Sequence, residues 1–328
     1  MSRWILLALP LCGLLLLAAC EQEPAAPRPA TSGPAGAVQQ LVQRLHENDL
    51  AGFARAAVPP ADYARLETAW REGRSRWPLT ELPLDDQLEP MLSALAAPDS
   101  ERQLQQAFKR NFANQDKDLK DAARSLGLFG VQYVKREGVF TDEERAHYAQ
   151  MIQALSEWAQ KAPLSDSRRG LAAIPPLVAA ARKTGLTDEE SFRAAGMTGS
   201  LQRLSPFFAQ AKTLLAGYGL SLDRSFSELR TEVVEQKGDQ ARVRVHYTLG
   251  DGKLDDREID TVVSLERRAG RWYLTDYLRH AEQALAPPAE EASESQIGPG
   301  AQVPPPASGS AGAAVGAASR RELFARIH

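Results

Sequence analysis

Residues 242–249 read Arg-Val-Arg-Val-His-Tyr-Thr-Leu, so apolar and polar side chains alternate along the segment. Residues 259–266, Ile-Asp-Thr-Val-Val-Ser-Leu-Glu, continue this alternation with one extra valine. A period of two is typical of a β-strand that buries one face and exposes the other. The two segments therefore predict neighbouring strands whose apolar faces need a covering layer.

Turn signals divide the region around these strands. They are Lys-Gly-Asp at 237–239, Gly-Asp-Gly at 250–252 and Ala-Gly at 269–270. Residues 228–236 and 271–277 lie just outside these turns and supply two further strands. We therefore predict a four-stranded antiparallel meander within 226–285, closed by a helix at about 277–285, with one face packed on helices.

Residues 37–225 follow a helical period instead. In the stretch 38–45, apolar side chains recur at positions i, i+3, i+4 and i+7, which is typical of one buried helix face. Thr141 and Thr187 are each followed by Glu three residues later, a capping-box signature, and the pair leaves open a diverged helical-hairpin repeat. The predicted fold class is α+β, predominantly α-helical: a helical body followed by the antiparallel meander.

The N-terminus has the features of an export signal. Arg3 precedes an apolar run, and the run closes with Leu17-Ala18-Ala19-Cys20. This ending resembles the lipobox of bacterial lipoproteins. The resemblance implies removal of residues 1–19 and acylation of the thiol and amino group of Cys20, which anchors the chain in a lipid bilayer. An ordinary signal peptide or an uncleaved anchor is the alternative.

The lipoprotein resemblance also carries expectations about location. Each buried acyl methylene contributes about 0.8 kcal/mol, and two or more chains make a stable anchor. Glu21 follows Cys20, and it is not the Asp associated with inner-membrane retention in enteric bacteria. The resemblance therefore implies attachment to the outer membrane, facing the periplasm.

Two segments rich in Pro, Ala, Gly and Ser flank the folded region. Residues 20–36 are predicted to be a disordered tether and residues 286–318 a disordered linker. The linker leads to residues 319–328, Ser-Arg-Arg-Glu-Leu-Phe-Ala-Arg-Ile-His, which begin with a capping box. Leu323, Phe324 and Ile327 share one face of this short helix, which is either a docking segment or a frayed terminus.

Composition excludes several classes of function. The chain has 328 residues and a formal net charge of −3, so it has no basic field for nucleic acid. It has only two cysteines: Cys12 leaves with the signal and Cys20 is acylated. We therefore expect no disulfide, no thiol chemistry and no cysteine-bound metal in the mature chain.

Chemistry-bearing motifs are absent from the sequence. It contains no H-E-x-x-H, no G-x-S-x-G and no phosphate-binding G-x-x-x-x-G-K-[ST]. The five histidines stand apart from one another, and His46 and His147 are predicted on polar helix faces. The acid pairs at 85–86 and 143–144 have the character of helix-start charges. No catalytic residue, metal site or cofactor is predicted.

Residues 238–245 and the Gly-Arg-Trp-Tyr-Leu at 270–274 resemble the sheet of cone-shaped ketosteroid-isomerase-like (SnoaL-like) domains. The resemblance covers 60 to 90 residues, and the long helical region departs from that family. It implies a pocket between sheet and helices, with Tyr247, Asp260 and His246 as candidate pocket groups. Alternation, however, places Tyr247 with the buried valines and His246 with the arginines.

Two hypotheses for function follow. The first is an envelope lipoprotein that acts as a non-enzymatic binding or scaffolding protein, with the bilayer and an envelope protein as partners. The alternative is an enzyme that acts on a cell-envelope substrate through a pocket between sheet and helices. An exposed apolar surface would favour the first, and a pocket with convergent polar groups of perturbed pKa the second. The sequence leaves the ligand and the oligomeric state open.

Overall fold

A computed structural model describes residues 33–82, 85–136, 140–253 and 256–286. The helices are α1 Pro34–His46, α2 Leu50–Ala57, α3 Pro60–Arg71, α4 Asp85–Ala96, α5 Ser100–Asn111, α6 Asp116–Arg136, α7 Asp142–Lys161, α8 Ser167–Thr184, α9 Glu189–Gly217, α10 Leu222–Glu228 and α11 Thr275–Leu285, with a 3₁₀ turn at Leu79–Glu81. The strands are β1 Arg230–Lys237, β2 Gln240–Leu249, β3 Arg257–Arg268 and β4 Arg271–Leu274. The predicted α+β class, a helical body followed by an antiparallel meander, is confirmed.

The sheet has the order β1-β2-β3-β4, and each strand pairs antiparallel with the next. Two hairpins turn tightly because residues with positive φ stand at their tips. Gly238 (φ 58°) lies between β1 and β2, and Ala269 (φ 49°) with Gly270 (φ 81°) joins β3 to β4. Positive φ at both central residues, as at Ala269 and Gly270, matches the strand twist in two-residue hairpins.

The apolar face of the sheet is buried against α1. Ala241, Val243, Val245, Leu265 and Trp272 form one cluster, and Val38 of α1 packs into it. The prediction that one sheet face lies on helices is therefore confirmed. The helix itself begins at Pro34, three residues before residue 37, where the helical region was predicted to begin. Proline is favoured at the first helical position, so α1 extends into a segment whose composition suggested disorder.

A second apolar cluster is the main core of the helical body. Trp70 of α3 is fully buried, and its indole Nε1 donates a hydrogen bond to the carbonyl of Phe192 in α9 at 3.0 Å. Ala281 of α11 belongs to the same cluster, although it follows the sheet in the chain. Because α11 inserts into the helical core, the described residues of 33–285 belong to one compact unit.

Helix α9 is kinked at Gly196, where φ is 69°. A side chain at this position would overlap Glu67 of α3. The Glu67 carboxylate accepts hydrogen bonds from Thr198 N (2.9 Å) and Thr198 Oγ1 (3.0 Å) just after the kink. Glu67 therefore caps the second half of α9, since the kink frees backbone donors there.

The structure confirms one of the two predicted capping boxes and shifts the other by one residue. Thr141 caps α7 together with Glu144, as predicted. The prediction for Thr187 was wrong by one residue, because Asp188 is the N-cap of α9 and pairs with Ser191. The Asp188 carboxylate accepts from Ser191 N at 2.8 Å, and Asp is preferred over Thr at the N-cap position. No helix in the described part of the chain is long and apolar enough to cross a membrane.

Helices α6 and α7 form a close pair at the side of the molecule. Gly127 and Gly130 of α6 face Ser156 and Ile152 of α7. Ser156 Oγ donates a hydrogen bond to the carbonyl of Ala123 at 2.9 Å. Because glycine lacks a Cβ, the two backbones approach closely enough for this side chain to reach across.

We expect Gly127→Ala to destabilise the protein by about 2 kcal/mol, because the new Cβ would overlap Ser156, and overpacking of this kind costs 1–3 kcal/mol. Adding Ser156→Gly should restore about 1 kcal/mol, since the obstructing atoms are removed. The control is Gly199→Ala in α9, where the added Cβ has ordinary contacts and should be neutral or stabilising. Urea unfolding followed by circular dichroism measures all four proteins. A stabilised Gly127→Ala variant would contradict the close packing.

Candidate functional site

A cleft lies between the first half of α7 and the polar face of the sheet. Its volume is about 600 Å³. It is lined by Asp142, Glu143, Ala146, Gln150, Arg242, Arg244, Asp260, Thr261 and Val262.

The charges in this cleft are paired with one another. Arg242 contacts Glu143 at 3.1 Å, and Arg244 contacts Asp260 at 3.3 Å. All four side chains are between a third and just over half exposed, so water screens both pairs. A charged ligand would have to displace one of these partners. The four groups therefore carry no net charge that could attract a ligand to the cleft.

Gln150 closes the free edge of β3 next to the cleft. Strand β4 pairs only with residues 265–268 of β3, so the backbone at Asp260 has no strand on that side. The Gln150 amide accepts from Asp260 N at 3.2 Å and donates to Asp260 O at 3.0 Å. This side chain replaces a neighbouring strand and fixes α7 against the sheet.

Only one of the three candidate pocket groups lines the cleft. Asp260 does so, whereas His246 lies on the exposed polar face, 3.7 Å from Glu258. Tyr247 lies on the buried side, as the alternation indicated, and burial raises its pKa. His246 and Asp260 are cross-strand partners on the polar face. The sheet separates both from Tyr247, so the three do not form one catalytic group.

The prediction that His147 lies on a polar helix face was wrong. His147 Nε2 lies 2.8 Å from the Tyr247 hydroxyl, and burial lowers the pKa of His147. Helix α7 packs both on α6 and on β3, so a residue outside its apolar stripe is also partly enclosed. The contact joins α7 to β2 inside the protein.

The structure brings together a histidine and two carboxylates that the sequence keeps far apart. His280 Nδ1 of α11 lies 2.8 Å from Glu81 Oε2 of the 3₁₀ turn. His280 Nε2 lies 3.2 Å from Glu144 Oε1 at the start of α7. The three side chains are between 6% and 19% exposed. We call Glu81, Glu144 and His280 the histidine–carboxylate cluster.

Glu144 is the centre of this cluster. Its Oε2 accepts hydrogen bonds from Thr141 N and from Arg279 Nη2, both at 2.7 Å. Its Oε1 faces His280, in an ion pair that is not aligned as a hydrogen bond. Burial opposes ionisation of Glu144, but His280, Thr141 and Arg279 together lower its pKa. One carboxylate therefore joins the start of α7 to α11.

The geometry of the cluster suits a role in stabilising the fold. Interaction with Glu144 and Glu81 raises the pKa of His280 to about 9, so the imidazole is protonated at neutral pH. Both ring N–H groups face carboxylates, and a protonated ring has no lone pair with which to accept a proton. A general base needs a pKa near the working pH and a free nitrogen, and His280 has neither.

We expect the free energy of unfolding to fall by about 2 kcal/mol as pH rises from 6.5 to 9.5. A raised folded-state pKa gives stability that is complete below the unfolded value of about 6.5 and is lost through about 9. His280→Gln should remove most of this slope, whereas His246→Gln, on the exposed sheet face, should keep it. Urea titrations at five pH values test this. An unchanged slope in His280→Gln would contradict the assignment.

A different kind of feature lies on the outer side of α6. Leu126 is 69% exposed, Phe129 59% and Tyr133 37%, and the last two rings stack with centroids 6.3 Å apart. Ala122 is also exposed and lies one turn before Leu126. We call Ala122, Leu126, Phe129 and Tyr133 the α6 surface. Among the described elements, only α7 packs extensively against α6.

The sequence interpretation missed both the α6 surface and the histidine–carboxylate cluster. The α6 surface has a signal, since its members recur four, three and four residues apart beside the two glycines that face α7. The cluster has none, because its members are separated by 63 or more residues and no local pattern joins them. Cys20 and the predicted docking residues Leu323, Phe324 and Ile327 lie outside the described residues.

Within the described residues, no group of three His, Cys, Asp or Glu side chains is arranged to hold a metal ion. Comparison of the chain with known protein families, with characterised proteins and with solved structures finds no match. The resemblances to lipoproteins and to cone-shaped domains therefore remain predictions.

Proposed function

We propose that this chain is a lipid-anchored protein of the bacterial envelope that binds a polypeptide partner and is not an enzyme. The observation that carries the proposal is the α6 surface. Two of its side chains, Leu126 and Phe129, are more than half exposed to water. Contiguous exposed apolar side chains on a soluble protein mark interaction sites. The location follows from the lipobox at Cys20 and is part of the proposal.

The support beneath α6 favours recognition by a rigid surface. Gly127 and Gly130 hold α6 against α7, and Gln150 and His147 hold α7 against the sheet. A partner that covers the α6 surface would therefore meet side chains on a fixed helix. Binding then costs little conformational entropy in the backbone of α6.

The charged groups of the molecule favour the same conclusion. His280 is enclosed by two carboxylates, and the arginines of the cleft are paired with Glu143 and Asp260. A general base needs an atom that is free to accept the proton of the substrate and a pKa near the working pH. These groups hold elements of the fold together instead.

Crosslinking in living cells, followed by purification of the tagged chain, tests the proposal. We compare the intact chain with Leu126→Ser/Phe129→Ser and with the control Lys117→Ser/Arg124→Ser, whose residues are exposed on the polar side of α6. Capture of a discrete polypeptide by the intact chain and the control should fall at least about tenfold in the apolar variant, since central interface residues contribute 2 kcal/mol or more. Equal capture by all three proteins would contradict the proposal.

The predicted docking segment is tested in the same assay. A chain truncated after Ala286 lacks Leu323, Phe324 and Ile327 but retains the whole of α6. If the segment binds a partner of its own, one captured polypeptide should disappear on truncation and remain in Leu126→Ser/Phe129→Ser. No loss on truncation would contradict the docking role.

The cleft favours a second candidate, an enzyme or a small-molecule binder of the envelope. Its volume of about 600 Å³ and the carboxylates of Asp142, Glu143 and Asp260 support this alternative. Asp142→Asn together with Asp260→Asn would remove two of the acids. Under the binding-protein proposal, this change leaves partner capture intact. An envelope defect in cells that carry this variant, but not in cells that carry the intact chain, would favour the enzyme.

A further inference from the structure

We infer that the α6 surface binds the same surface of a second copy of this chain, with the two α6 helices antiparallel. The inference rests on the proposed function, because it names the partner of that surface. Three features of α6 support it: the spacing of its apolar side chains, their sizes and the position of its charges.

The spacing matches a helix–helix seam. Ala122, Leu126, Phe129 and Tyr133 are separated by four, three and four residues, which is the alternation that one helix presents to another in a coiled coil. The other side of α6 is already occupied by α7. A second helix on the free side would complete a bundle arrangement in which α6 is covered on both sides.

The sizes of these side chains fit an antiparallel two-fold arrangement. With the axis between residues 127 and 128, Leu126 faces Phe129 of the second copy, and Ala122 faces its Tyr133. The smallest member of the surface is then opposite the longest, at both ends of the seam. A two-fold interface uses the same patch on both subunits, so one sequence has to supply both the knob and the space for it.

Two charged residues favour the antiparallel direction of the two α6 helices. Asp118 and Arg136 lie on the same flank of the apolar stripe, eighteen residues and five turns apart. In an antiparallel pair, Asp118 of each copy lies beside Arg136 of the other, whereas a parallel pair would place like charges together. Lys117 and Lys120 are already paired within the helix, with Asp121 and Asp116. Asp118 lies near Lys117 but forms no salt bridge among the described residues, so its carboxylate can reach Arg136 of a second copy.

Cysteine crosslinking on isolated membranes tests the inference with the full chain. Two differently tagged copies are expressed together, one with Ala122→Cys and the other with Tyr133→Cys. The expected acylation of Cys20 leaves no other thiol, and a pair without added cysteines is the control. In the antiparallel pair, positions 122 and 133 of opposite copies adjoin, whereas positions 122 and 122 lie about 16 Å apart along the helix axis.

The expected result is at least about tenfold more disulfide between 122 and 133 than between 122 and 122, because a disulfide needs Cβ atoms within about 4.5 Å. Phe129→Glu in both copies should abolish it, and circular dichroism checks that this variant stays folded. Efficient 122–122 and 133–133 products would overturn the antiparallel arrangement. No crosslink in any pair, while Leu126 and Phe129 still govern capture of another envelope polypeptide, would overturn this inference and leave the proposed function standing. If α6-dependent capture is also absent, both fail.

Discussion

Glu144→Ala is expected to lower the free energy of unfolding by about 3 kcal/mol. The change removes the shared partner of His280, Arg279 and the Thr141 backbone. It leaves the two partly buried positive charges close together, with Glu81 and Asp276 as their remaining carboxylates. Removing one member of a buried ion pair costs 3–5 kcal/mol, and partial exposure of Arg279 puts the expected loss at the lower end. Urea unfolding at pH 7 measures it.

Glu143 provides a matched control in the adjacent position. It is more than a third exposed, and its ion pair with Arg242 is on the surface. Glu143→Ala should therefore cost less than about 1 kcal/mol, as surface ion pairs do. Equal losses in the two variants would show that the histidine–carboxylate cluster does not hold α7 to α11.

Cys20→Ala is expected to move the protein almost completely from the membrane pellet to the soluble fraction. The prediction depends on acyl chains at Cys20, since two chains with about 0.8 kcal/mol per buried methylene make a stable anchor. Labelling with a radioactive fatty acid and fractionation of the cells measure both steps.

Cys12→Ala is the matched control for the anchor. Cys12 lies within residues 1–19, which the lipobox resemblance assigns to the removed signal, so its loss should change neither labelling nor location. A Cys20→Ala protein that stays in the pellet and still carries the signal would support an uncleaved anchor and contradict lipidation.

The sheet was predictable from the sequence because one of its faces is buried and the other is exposed to solvent. The alternation at 242–249 and 259–266 and the glycine-containing turns define four strands, and the structure has them in that order. Helix starts were predictable where a cap is local, as at Thr141. The choice between Thr187 and Asp188 depends on which oxygen reaches the backbone, and a sequence pattern does not determine that.

The arrangements that matter for function were less predictable. Glu81, Glu144 and His280 are each unremarkable in their local sequence, and only the packing of α11 onto the helical body brings them together. His147 has polar neighbours, yet it is buried because β2 supplies the Tyr247 hydroxyl on the far side of α7. Such contacts depend on tertiary structure, and no periodicity reports them.

The α6 surface is the opposite case, because its spacing is visible in the sequence but its exposure is not. Leu126, Phe129 and Tyr133 would fit the core face of any amphipathic helix. The structure uses the glycine side of α6 for packing against α7 and leaves the aromatic side outside. This inversion, small residues inside and large apolar residues outside, is what indicates a partner.

Site-specific photo-crosslinking in living cells tests whether the α6 surface contacts a polypeptide. A photoreactive amino acid replaces Phe129 in one strain and Lys117, an 87% exposed side chain on the polar side of α6, in another. We expect the chain with the probe at 129 to become joined to a polypeptide on illumination, whereas the chain with the probe at 117 should not. Crosslinking at 129 to lipid alone, or to nothing, would contradict a polypeptide-binding role for the α6 surface.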